Sequence, residues 1–69
     1  MKKKLCEMKC GERFFQFPAS PIRKFMSLEF VQTENAVGYW ELITEEAGGQ
    51  IHKHVCTKEE LEEEWNVLS

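Results

Sequence analysis

Three cysteines and two histidines are the residues of this chain best suited to chemistry, and they fall in two places. Cys6 and Cys10 lie near the start, and His52, His54 and Cys56 lie within five residues of one another near the end. Thiolate and imidazole together form a zinc ligand set, four donors in a tetrahedron. Two ligands from an N-terminal turn and two from a distant strand would close a long loop, a staple from which a small domain gains much. On a strand, residues i and i+2 share a face about 6.6 Å apart, whereas i and i+4 are about 13 Å apart. His54 and Cys56 can therefore grip one ion, and so can His52 and His54, but His52 and Cys56 cannot. The expected quartet is Cys6, Cys10, His54 and Cys56 around one zinc ion, with His52 as the alternative ligand. A plainer reading stands beside it: Cys6 and Cys10 in an ordinary turn, the histidines on an exposed strand face, and Cys56 as a small core filler.

His54 and Cys56 also form the minimal pairing of a base with a nucleophile. No oxyanion donor, orienting acid or roomy pocket accompanies them in the sequence, and the chain is expected not to be an enzyme.

Lys9-Cys10-Gly11 resembles the second half of a zinc-ribbon knuckle. Three residues separate Cys6 from Cys10 where the knuckle has two, and no second cysteine pair follows, so no family is assigned. The resemblance implies an alternative function: a zinc-stabilised, ribbon-like module that contacts nucleic acid or transcription machinery through a basic N-terminal part.

The elements that must hold these residues are legible in outline. The only prolines, in Pro18-Ala19-Ser20-Pro21, mark a connector. After it, Phe25–Gln32 alternates, with Met26, Leu28 and Phe30 on one face and Ser27 and Glu29 on the other. Asn35 and Gly38 mark a turn, Tyr39–Thr44 reads as a strand, and Gly48-Gly49 as a second turn. Gln50–Cys56 is the next strand, with Ile51 and Val55 pointing one way and His52, His54 and Cys56 the other. Arg13–Phe17 offers one more. Thr57-Lys58-Glu59-Glu60 fits a capping box, and Leu61, Trp65 and Leu68 then recur as a helical stripe over 57–68. The expected fold is α+β: a single domain over residues 1–69, with a basic part at 1–24, a small antiparallel meander of three to four strands in which 25–56 is the main part, and one acidic C-terminal helix packed on one face.

The 69 residues leave no room for a second domain or a barrel enzyme. Hydrophobic residues make up 42% and aromatic ones 12%, enough to pack a core and to exclude a disordered chain. The net charge of −3 hides a split. Residues 1–24 carry seven Lys or Arg against two Glu; residues 25–69 carry two Lys against ten Glu. A nucleic-acid binder working by charge alone would be basic overall, so nucleic acid is the less favoured partner. Aromatics among basic residues (Phe14, Phe15 and Phe17 beside Arg13, Arg23 and Lys24) could nonetheless stack bases.

Met1-Lys2-Lys3-Lys4 looks like the start of a signal peptide, but no run of about 7–15 apolar residues follows. No stretch approaches the roughly 20 apolar residues of a membrane span. The expectation is a cytoplasmic protein with reduced thiols and no membrane contact. The expected function is that of a small binding module that docks on a larger protein and modulates it, as an adaptor or inhibitor would. Tyr39, Glu59, Glu62 and Glu63 are the expected contact residues, and pairing of two copies through an edge strand is a further expectation.

Overall fold

The computed structural model describes residues 1–35 and 37–68. Among these, six strands form one antiparallel sheet: β1 (Lys2–Lys3), β2 (Arg13–Phe15), β3 (Arg23–Gln32), β4 (Gly38–Glu45), β5 (Ile51–Cys56) and β6 (Trp65–Leu68). Their spatial order is β1-β6-β2-β3-β4-β5. A single 3₁₀ turn, Leu5–Glu7, links β1 towards β2, and a short helix, α1 (Lys58–Glu62), carries the chain from β5 at one edge back to β6. The α+β expectation thus holds coarsely; the strand number, expected at three to four, is six.

The largest correction concerns residues 57–68. The helix starts where the capping box places it: Thr57 Oγ1 accepts from the Glu60 N–H, and the Glu60 carboxylate accepts from the Thr57 N–H. It ends at Glu62, and Trp65–Leu68 is a strand between β1 and β2. Glu62, Glu63 and Glu64 would crowd the negative end of a longer helix dipole, with no basic residue in the last turn to offset them. As a strand, the same residues alternate: Trp65 and Val67 are buried, Asn66 and Leu68 only partly.

One face of the sheet holds the core: Phe14 opposite Val67, with Phe25, Leu42, Cys56 and Trp65 on the same side. Leu5 and Met8 of the N-terminal segment and Leu61 of α1 pack over it. Phe14 meets Trp65 edge to face at 5.8 Å. β3 reaches this arrangement through a bulge, because Phe25 is opposite Thr44 but Ser27 is opposite Ile43. Met26 is the extra residue, and it lets Phe25 and Leu28 both face inward despite their odd spacing. The simple alternation expected for this strand, with Met26, Leu28 and Phe30 on one face, is corrected accordingly. No helix among the described residues is long and apolar enough to cross a membrane.

Candidate functional site

Chemistry-bearing side chains gather on β5. The strand alternates as expected, and the face it shares with the core presents Cys56, which is buried, and His52 and His54, which are about half exposed. His54 Nε2 lies 2.8 Å from Glu60 Oε2 of α1. His52 Nε2 lies 3.3 Å from Glu46 Oε2, and Glu46 in turn lies 3.5 Å from Arg23 Nε. The two histidines are therefore engaged by carboxylates, one from the β4–β5 turn and one from the helix. Burial pushes the Glu60 carboxyl up, but the Thr57 N–H and the His54 ring outweigh it, and the group stays below its ordinary value. Cys56 goes the other way. Burial raises its thiol above the ordinary value, the nearby Glu60 carboxylate adds to this, and a hydrogen bond from the Leu42 backbone opposes both without cancelling them. A buried, protonated thiol is a poor nucleophile.

Cys6 and Cys10 are exposed, whereas Cys56 is buried. Among the described residues, no three His, Cys or Glu side chains form a group that could hold a metal ion. Cys6, Cys10, His54 and Cys56 are thus not gathered as a four-ligand centre, and the His54 ring is occupied by Glu60. His54 and Glu60 do line one wall of a cleft of about 250 Å³, with Phe14, Leu42, Trp65 and Arg23 around it. Cys56 is not part of that lining.

The expected contact residues separate. Tyr39 is half-buried and points to the uncovered face of the sheet, opposite in sense to its neighbour Trp40. Glu59 and Glu62 are exposed on α1, which packs on the other face, and Glu63 is exposed at its C-cap. Of the three clustered phenylalanines, Phe14 is core, Phe15 half-buried and Phe17 exposed, so they do not form one stacking platform.

Sequence reasoning missed the uncovered side of β5. Ile51 and Val55 are 53% and 55% exposed there, with Lys53 between them. Their pairing partners on β4, Glu45, Ile43 and Glu41, continue the same open surface. The signal was present in the alternation Ile-x-Lys-x-Val. The sequence could not show that the apolar half of that alternation lies on the face away from the core, while the histidines, themselves about half exposed, share the core's face. At the far end of the β3–β4 hairpin, Phe30 and Trp40 pack against each other at 5.4 Å and remain 55% and 39% exposed.

No family model, curated protein or solved structure matches the chain.

Proposed function

We propose that the chain is a small, non-enzymatic protein-binding module that docks on a larger protein and modulates it. One observation carries the reading: β5 is an open edge strand with two apolar side chains half exposed on a face that no other element among the described residues covers. The opposite edge is built differently. β1 has two residues, both lysines, the short and charged design that discourages pairing. β5 has six residues and a single lysine. The buried, protonated Cys56 thiol supports a role by contact rather than by covalent catalysis.

The β5 edge also reconciles the two separated groups of expected contacts. It runs between the outer face, where Tyr39 lies, and α1, which begins two residues after β5 ends and carries Glu59 and Glu62, with Glu63 at its C-cap. The test is a three-bait comparison. Wild type, Ile51→Ser with Val55→Ser, and a Glu59, Glu62 and Glu63 charge reversal are each used to retain protein from a cell extract. Any protein retained is then purified and titrated against all three by calorimetry. A partner that binds wild type and loses most of its affinity for the first or second variant supports the reading. A partner indifferent to both places the contact elsewhere.

A further inference from the structure

We propose that β5 takes an extended peptide segment of a partner as a seventh strand, and that this segment alternates apolar–acidic–apolar on one side and is basic on the other. The inference rests on the protein-binding reading above and adds to it the conformation and side-chain chemistry of the partner.

The main chain of β5 is set for such an addition. The Glu46 N–H donates to the Gln50 carbonyl across the β4–β5 turn at 2.8 Å. In an antiparallel ladder, hydrogen-bonded and non-hydrogen-bonded pairs alternate. The pairs that follow, Glu45↔Ile51 through Trp40↔Cys56, run without a register shift. Ile51, Lys53 and Val55 therefore fall at the non-hydrogen-bonded positions, and their N–H and C=O groups point away from β4 to the open side. These are also the residues whose side chains lie on the uncovered face. A partner strand would meet donors, acceptors and an Ile-Lys-Val row together.

Charge sets the partner's pattern. On the outer face, a residue opposite Lys53 gains most by being acidic, and those opposite Ile51 and Val55 by being apolar. On the inner face, the partner passes His52 and His54, each already held by a carboxylate, Glu46 and Glu60. Glu59 and Glu62 on α1 and Glu63 at its C-cap extend this acidity. Basic side chains complement that side. A second copy of this chain fits poorly: pairing Ile51 with Val55 of the copy would set the two Lys53 side chains opposite each other, a destabilising pair.

The probe is the capped synthetic peptide Lys-Val-Lys-Glu-Lys-Val-Lys, with Glu-Val-Glu-Lys-Glu-Val-Glu as its charge-inverted counterpart. Each is titrated into isotope-labelled, full-length protein and followed by amide resonances and amide hydrogen exchange. The first peptide is expected to shift β5 resonances, to slow exchange at Ile51, Lys53 and Val55, and to bind roughly tenfold more tightly than the second. Lys53→Pro removes one outward donor without touching the β4–β5 ladder, where an edge proline is tolerated. It is expected to abolish the exchange protection, and Lys53→Gln to weaken binding while keeping it. Should the proline variant not fold, Lys53→Glu serves instead: it should weaken the first peptide, whose Glu then faces a like charge, and narrow its lead over the second. Equal binding of both peptides, shifts confined to α1, or protection outside β5 would overturn the proposal. If a partner found in the three-bait experiment loses affinity for the Ile51 and Val55 variant but binds the proline variant at full strength, the module reading stands and strand addition fails.

Discussion

His54 Nε2 and Glu60 Oε2 lie 2.8 Å apart, and this contact ties the edge strand β5 to the helix that follows it. The same carboxylate accepts the Thr57 N–H through its other oxygen at 3.0 Å, so Glu60 caps the helix and anchors it to the sheet at once. Glu60→Gln can still complete the capping box but loses the charged partner of His54; Glu60→Ala loses both. The alanine variant should therefore be the less stable of the two. Thr57→Ala, which removes the reciprocal cap, should cost about 1 kcal/mol. Urea unfolding of the three variants checks the order. A wild-type midpoint for Glu60→Ala would show that neither contact matters to stability.

Acid should weaken the fold at two places. Backbone donation from Lys9 and the Lys3 ammonium hold the Glu12 carboxyl below its ordinary value of 4.5, with burial opposing them. Glu60 is also lowered from 4.5; burial opposes the shift, and Thr57 and His54 outweigh it. A carboxylate with a depressed folded-state pKa contributes stability above its unfolded value, and that contribution is lost as pH falls through the folded one. The urea midpoint should stay level down to about pH 4.5, the ordinary value of both groups, and decline below it. Glu12→Gln with Glu60→Gln should start lower and decline less. An unchanged acid slope in that double variant would assign the loss to other carboxylates.

What could be read from the chain was local. The capping box at Thr57 and Glu60 involves four consecutive residues, and it stands where the spacing put it. The alternation of β5 was equally plain, down to His52, His54 and Cys56 sharing a face. Trp65 belongs to the core, as its company with Leu61 implied, but in a strand rather than a helix. Four residues, Trp-Asn-Val-Leu, satisfy either period, and the decision rested on a distant fact: β2 needs a second neighbour, and β6 fills that place between β1 and β2. The Met26 bulge depends on register against β4, and the carboxylate partners of the histidines come from the β4–β5 turn and the helix. None of these follows from periodicity.

The bulge sets the outcome of two changes at one position. Deleting Met26 removes the extra residue and leaves Phe25 and Leu28 two positions apart, so both still face inward, opposite Thr44 and Leu42, in a regular ladder. A register slip that turned Phe25 outward would instead cost about 1.5–3 kcal/mol. That is a large share of the stability of a chain this short, roughly 0.05–0.15 kcal/mol per residue. Because no core side chain has to turn, the deletion should remain folded. Met26→Ala keeps the register and trims only a half-buried side chain, and it should remain folded too. Near-ultraviolet circular dichroism of the two proteins decides the matter. An unfolded deletion variant would mean that the fold needs the local bend of the bulge itself, beyond the inward placing of Phe25 and Leu28.

The thiols provide the last test, and it bears on the metal reading as well. Cys6 and Cys10 are exposed and Cys56 is 8% exposed, with its thiol raised by burial and by Glu60. Thiolate fraction and access both govern reaction with an aromatic disulfide reagent. Native protein should release two equivalents quickly, with the third appearing only as urea unfolds the chain. Glu60→Gln should speed the slow thiol, since it removes a neighbouring negative charge. A zinc ion held by Cys6, Cys10, His54 and Cys56 would behave differently. All three thiols would then be slow, a chelator would release them together, and native mass spectrometry would show one zinc per chain. Two fast thiols and one slow, unchanged by chelator, would instead fit the geometry, in which Cys56 packs beside Leu42 while Cys6 and Cys10 face solvent.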